Sequence, residues 1–329
     1  MIKYNLKSFT DIEDKKNIQY NVLGNPATIF ILDENENIVR NIKELKKENE
    51  NGEKINITEA EFFIVNNEGN VINTPSQIAI KEHSPMACFI KHKVNNEYNV
   101  WFFNLDGSQA YMCGHGSLAI ASLLYKEYKI DKIKLYYDTT KFELNGRKIE
   151  NNLIDISVDN IGRAMIQMNM FNYSIIEKHN YTDDMLKCQE LLGLIDEDVE
   201  YLICGKEYYD LTFILKDGLK LRQIKPNFKE LAVILAENKM NVRNLCVSAK
   251  SIEDNFDFET RVFCPHDDLN EDVACGSSNL TISRFWHDFT KKNEFKILFP
   301  YNFDIDGNVG GVQFINIDNN KIFIGGYCK

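Results

Sequence analysis

Two stretches of this chain, about half its length apart, carry one pattern: YMCGHGSLAIASLLY at 111–125 and VACGSSNLTISRFWH at 273–287. Set one above the other, Cys113 falls on Cys275, Gly114 on Gly276, Leu118 on Leu280 and Ile120 on Ile282. The residues between are small or polar in both, His115-Gly116-Ser117 against Ser277-Ser278-Asn279. Each copy follows a strand-like run and opens a helix-like one. From Gly116 to Lys126 nearly every residue is apolar or small, which implies a helix buried on all sides. The repeat therefore suggests two similar halves, each with a cysteine where its central helix begins. Coincidence between two buried helices is the competing explanation, because short motifs recur by chance.

Around these helices most periodic segments read as strands. Residues 18–32 read as strand, turn and strand, with Gly24-Asn25-Pro26 as the turn. EFFIVN (61–66), MACFIKHKV (86–94), VWFFNL (100–105), IKLYYDT (133–139), DLTFILKD (210–217), NLCVSAK (244–250) and ETRVFCP (259–265) follow, with further strands in 153–171. DDMLKCQELLGL (183–194) and NFKELAVILAEN (227–238) have helical period. The end, GGVQFINIDNNKIFIGGY, is a hairpin turning at Asp318-Asn319-Asn320. Residues 33–56, rich in Glu, Lys and Asn, are predicted to form a solvated helix plus loop, and 33–76 to be partly an insertion. Strands in hairpins rather than regular βαβ units suggest an α+β fold. The expected division is 1–128, holding the Cys113 helix, and 129–329, holding the Cys275 helix, with the last strand free to return to the first domain.

The 329 residues are 44% hydrophobic, enough for two packed domains. A net charge of −11 argues against nucleic acid or an anionic membrane surface as partner. The eight cysteines form no C-x-x-C pair, the first residues carry no apolar signal core, and no apolar run approaches ~18 residues. Such cysteines read as reduced thiols of a cytoplasmic protein. His83 and His266 have no metal-ligand spacing with any cysteine, and H-E-x-x-H, P-loop, G-x-G-x-x-G and pyridoxal-lysine signatures are missing. Neither metal nor organic cofactor is expected.

A helix start presents unpaired N–H groups and partial positive charge. A cysteine there has its thiolate favoured against the ordinary ~8.5, and a carboxylate can dock on the free N–H groups. Two such ends facing each other across one cleft would hold a small amino acid. Its carboxylate would rest on the N–H groups of residues 114–117 and 276–279, its α-carbon between two sulfurs. One thiolate takes the α-proton, and the opposite thiol returns a proton to the other face. The helix ends stabilise the enolate-like charge that develops.

At these residues the sequence resembles the diaminopimelate epimerase superfamily, in detail its phenazine-biosynthesis (PhzF-like) branch. Gly24-Asn25-Pro26-Ala27 resembles the Gly-Asn-Pro signature, and Met112-Cys113-Gly114-His115-Gly116-Ser117 resembles Cys-Gly-His-Ala-Thr. Arg261-Val262-Phe263 and Glu271-Asp272-Val273-Ala274-Cys275-Gly276-Ser277-Ser278 resemble Arg-x-Phe and Glu-Asp-Pro-x-Thr-Gly-Ser-Ala, and Gly325-Gly326 the closing glycines. The resemblance implies two pseudosymmetric domains, each a curled, mostly antiparallel sheet around a central helix, an isomerase acting on a small amino-acid-like molecule, and a homodimer.

Two departures stand out. The ungapped match puts Met86 where PhzF-like isomerases carry a proton-shuttling glutamate; a rival match restores it at Glu59 but needs a long insertion. Cys275 stands where that branch has threonine, whereas racemases and epimerases of the superfamily have cysteine at both positions. The expectation is a cofactor-independent amino-acid racemase or epimerase with Cys113 and Cys275 as bases. Substrate-binding candidates are Asn25, Gly114, His115, Gly116, Ser117, Asp272, Gly276, Ser277 and Ser278. His115 either binds substrate, tunes Cys113 or caps local backbone; Asp272 either binds an ammonium or caps its loop; Asn25 either binds substrate or forms a plain turn. The alternatives are a PhzF-type isomerase moving a double bond with Glu59 or Asp272, and a non-enzymatic binder of small carboxylates.

Overall fold

Strand-forming runs dominate the chain, and the computed structural model turns them into a mixed α/β architecture, mostly sheet with few helices. It describes residues 18–22, 25–48, 54–82, 86–104, 106–110, 112–137, 143–144, 147–148, 153–207, 209–237, 239–265, 269–272, 274–300 and 311–327. The chain divides into two compact units, the first reaching Asp155 and the second running from Ile156 and including Val22–Asn25.

The first unit contains β1 (Ile18–Val22), β2 (Asn25–Ile31), β3 (Glu36–Glu48), β4 (Lys54–Asn66), β5 (Val71–Asn73), α1 (Pro75–Glu82), β6 (Met86–Val94), β7 (Glu97–Asn104), β8 (Gln109–Ala110), α2 (Gly114–Tyr128), β9 (Lys132–Tyr137), β10 (Glu143–Leu144) and β11 (Arg147–Lys148). β2 pairs with β1 and runs parallel to β6; β6 is antiparallel to β7; β7 runs parallel to β9. Helix α2 lies on β6. A Cβ on Gly116 would meet Cys88 Sγ at 2.8 Å and the Phe102 ring at 3.1 Å. Glycine there lets the first turn of α2 rest directly on β6 and β7. The boundary expected at 128/129 falls inside this unit, because β9 hydrogen-bonds to β7 and stays with the strands that precede α2.

Residues 33–56 correct the predicted helix and loop: β3 and β4 form an antiparallel hairpin in register from Glu36 opposite Asn66 to Glu48 opposite Lys54. A period of four in Ile38 and Ile42 fits a strand face as well as a helix. The partner strand decides, because Phe62 and Ile64 reach a core with Phe30, Leu32, Ala79, Phe89 and Phe103. Lys91 on β6 fastens the hairpin, donating to the carbonyls of Glu34 and Glu36 and to Asn37 Oδ1. Helix α1 was not anticipated from the sequence.

The second unit contains β12 (Leu153–Val158), which spans the division, β13 (Arg163–Asn169), β14 (Tyr173–Ile175), α3 (Asp183–Leu191), β15 (Val199–Gly205), β16 (Leu211–Leu215), α4 (Gly218–Gln223), α5 (Phe228–Glu237), β17 (Leu245–Lys250), β18 (Phe258–Cys264), β19 (Leu269–Asp272), α6 (Gly276–Thr290), β20 (Glu294–Leu298), β21 (Val312–Asp318) and β22 (Lys321–Tyr327). Neighbours run β13-β22-β21-β20-β18-β17-β16-β15-β14, antiparallel except β18–β20 and β16–β17. The last strand does not return to the first unit: β13 and β21 occupy both its edges. Helix α6 packs against β22 and β14. Leu191, Phe213, Leu231, Leu235, Leu245 and Val247 pack α3 and α5 onto β16 and β17.

Candidate active site

Helix α2 begins where extended backbone at Cys113 (φ −127°, ψ 111°) turns into a helix. The cysteine takes the place of the usual oxygen cap: its sulfur accepts from Gly116 N at 3.4 Å. Ser117 donates both its N–H (3.0 Å) and its hydroxyl (2.8 Å) to the Cys113 carbonyl. These bonds narrow the expected carboxylate cradle. Gly116 and Ser117 spend their N–H groups on Cys113, so of the four only Gly114 and His115 have N–H groups outside these capping bonds. His115 Nδ1 lies 3.1 Å from Cys113 Sγ. Beneath sits fully buried Cys88, its thiol pushed well above the ordinary range by burial and further by Cys113.

Helix α6 begins in the same manner at Cys275 (φ −64°, ψ 101°), but without a side-chain cap bond to the backbone. Its sulfur instead meets two hydroxyls, Ser278 Oγ at 3.3 Å and Ser277 Oγ at 3.5 Å. Ser278 in turn accepts from Asn244 Nδ2 (3.2 Å) and Arg243 Nη2 (3.4 Å). Arg243 is gripped by Asp210 through two bonds of 2.8 and 2.6 Å. Burial pushes the Cys275 thiol up to about 11; Asp272 and Asp210 add to the rise, while Arg243 and the Ser277 hydroxyl oppose it. Burial therefore outweighs the helix-start effect expected from the sequence. Ser278 is fully buried and its hydroxyl joins this network.

The approach to α6 is braced on both sides. Gln313 donates to Ala274 O (2.7 Å) and accepts from Asn279 Nδ2 (2.8 Å). Asp272 Oδ1 accepts from Ala274 N at 3.0 Å, the loop-capping role anticipated as one of its two readings, and the residue stays half-buried. Glu271 forms a buried two-bond pair with Arg261, 2.7 Å at each contact.

The structure thus gathers Cys113, Gly114, His115, Gly116 and Ser117 at one helix start, and Asp272, Cys275, Gly276, Ser277 and Ser278 at the other. Asn25 and Glu59 lie in β2 and β4, their side chains outside the described residues, as are Gly24, His83 and His266. Met86 opens β6 with its side chain buried. Sequence reasoning missed Asp210, Arg243 and Gln313, which reach the Cys275 helix from distant segments and carry no local motif. Among the described residues no His, Cys, Asp and Glu cluster is arranged to hold a metal, and no helix is long and apolar enough to cross a membrane.

Known proteins resemble the chain along much of its length. An uncharacterised isomerase of Halalkalibacterium halodurans is 23% identical over 233 residues, 71% of this chain and 76% of that protein. The diaminopimelate epimerase of Pelagibacter ubique is 32% identical over 104 residues, 30% of this chain and 37% of that enzyme. The crystal structure of a phenazine biosynthesis PhzF-family protein from Enterococcus faecalis superposes with a TM-score of 0.64 over 95% of this chain and 96% of that one, at 18% identity. Residues 75–303, which include both cysteine-headed helices, match the family described as phenazine biosynthesis-like protein (PhzC-PhzF), and the chain belongs to that family.

Proposed function

We propose that this chain is a cofactor-independent isomerase that inverts the α-carbon of an amino-acid-like substrate, with Cys113 and Cys275 as its two proton-transfer groups. One observation carries the reading: each unit caps a buried 15-residue helix with a cysteine whose sulfur has a polar partner. Similarity to an isomerase and, over a shorter stretch, to a diaminopimelate epimerase supports it.

The two sulfurs differ in their resting chemistry. With its thiol pushed up to about 11, Cys275 rests protonated at neutral pH and is the proton donor. Cys113 has His115 Nδ1 at 3.1 Å, close enough to take its proton and leave a thiolate that abstracts from the substrate. The C–H bond breaks toward the Cys113 sulfur, the electron pair passes into the substrate carboxylate as an enediolate, and the Cys275 S–H proton re-forms the C–H bond on the opposite face. For the reverse substrate the roles exchange. Helix-start N–H groups stabilise the enediolate charge. The proposal demands that both sulfurs reach one substrate carbon.

Screening amino acids in D₂O for deuterium uptake at the α-carbon tests the reading. Cys113→Ser and Cys275→Ser are each expected to cut uptake by about 10²- to 10⁴-fold, the range that a positioned acid or base contributes. Full uptake in both variants would discard the cysteine mechanism.

Family membership favours a second reading, a PhzF-type shift of a double bond through a carboxylate. Asp272, half-buried beside the start of α6, is its candidate, with Glu59 as the other. Activity that survives both cysteine changes but not Asp272→Asn or Glu59→Gln would select it. On either reading the protein acts on a small molecule as a cytoplasmic homodimer; size-exclusion chromatography with light scattering checks the assembly.

A further inference from the structure

Cys275 differs from Cys113 in having an ion pair connected to it, a buried carboxylate with a half-buried arginine. Asp210 is fully buried and holds Arg243 through two short bonds. The guanidinium has a third contact, Nη2 to Ser278 Oγ at 3.4 Å, and that hydroxyl lies 3.3 Å from the Cys275 sulfur. Asn244 Nδ2 donates to the same oxygen at 3.2 Å. With two donors directed at its lone pairs, the Ser278 hydroxyl keeps its own hydrogen for the two thiols beside it, Cys275 and Cys246.

We propose that Arg243 is a positioning residue for Cys275: fixed by Asp210, it turns the Ser278 hydroxyl toward the sulfur and supplies the positive charge that lets this buried thiol ionise. The inference rests on reading Cys275 as an acid–base group. Among the described residues, the ionisable groups acting on the sulfur are Asp272 on β19, Asp210 before β16, Arg243 before β17 and Cys246 on β17. Of these only Arg243 carries positive charge. It offsets Asp210, which would otherwise stand as an uncompensated anion near the sulfur. A thiol so placed can give up its proton and recover it within a turnover, whereas one surrounded by carboxylates alone would remain protonated.

The two members of the pair must act on the sulfur with opposite sign, which separates this role from a structural one. Loss of Arg243 removes the cation and leaves the anion; loss of the Asp210 charge does the reverse. The test is the rate of iodoacetamide alkylation of Cys275 at pH 8.5 in the folded full-length chain, read by peptide mass spectrometry, with Cys113 as internal reference. Alkylation follows the thiolate fraction. Arg243→Gln is expected to slow Cys275 about tenfold, the effect of one pKa unit. Arg243→Lys should recover most of that loss, and Asp210→Asn should speed alkylation several-fold, with Cys113 unchanged in all three. An unchanged Cys275 rate in Arg243→Gln, or movement of Arg243→Gln and Asp210→Asn in the same direction, overturns the proposal. If either variant does not fold, Ser278→Ala decides, because it leaves the ion pair whole: slower alkylation supports the relay and an unchanged rate refutes it. Alkylation requires no turnover, so this result stands apart from deuterium uptake, which judges the isomerase reading.

Discussion

The starts of α2 and α6 are built from the same elements and solve the same problem differently. In the first, the sulfur caps the helix, taking the Gly116 N–H, with a histidine at its side and apolar packing on Cys88 and Phe102 below. In the second, the sulfur makes no backbone cap bond and leans on hydroxyls fed by a half-buried arginine that a buried carboxylate holds. A cysteine engaged in capping is held in place by the helix itself. A cysteine without that bond needs its surroundings braced, and the ion pairs of Arg261 with Glu271 and Arg243 with Asp210 provide the bracing.

The sharpest way to break this contrast is to remove one brace. Glu271→Ala leaves Arg261 charged and buried; an uncompensated charge of this kind costs about 3–5 kcal/mol, and urea denaturation should register a loss of that order. The first helix start is expected to respond to volume instead. Gly116→Ala puts a methyl 2.8 Å from Cys88 Sγ, and overpacking typically costs about 1–3 kcal/mol. Equal sensitivity of the two starts to charge removal would dissolve the distinction. A smaller effect concerns chemistry. His115→Gln should lower α-proton exchange by about 10²-fold, the lower end of general-base effects, while Cys275 alkylation stays the same.

The smallest expected effect is on alkaline stability. Burial holds the thiols of Cys204 and Cys275 up to about 11 and that of Cys188 up to about 12, against ~8.5 for a free thiol. Because the folded values are the higher ones, the unfolded chain loses these protons first. The stability they confer is complete below pH ~8.5 and drains away as pH climbs through the folded values. The urea midpoint should therefore fall between pH 8.5 and 11, and a flat profile would contradict the burial of these second-unit cysteines.

Both helix starts were legible in the sequence because their signal is local: a cysteine, a glycine, small residues, then an apolar run. The terminal hairpin was legible for the same reason, its turn residues lying between two alternating strands. The β3–β4 hairpin was not, since Glu, Lys and Asn spell a solvated helix until the pairing with Phe62 and Ile64 is known. Arg261 and Glu271 could be recognised as motif residues without disclosing that they pair with each other in the interior. Arg243 and Asp210 were invisible, because what makes them matter is their pairing across 33 residues and the contact of Arg243 with a serine 35 residues further along the chain.

A Cβ on Gly325 would come within 1.9 Å of the Ala164 carbonyl oxygen, so β13 and β22 can lie this close only with a glycine at that position. Sliding β22 by a single residue would turn its whole set of inward side chains outward, and in one of the two directions would bring Ile324 into that gap. Ile324 is also the residue whose Cδ1 lies 3.8 Å from where Gly276 would carry a Cβ, at the head of α6. One missing methyl group in the last strand thus lets two strands close up beside the residue that underlies the head of the second cysteine's helix.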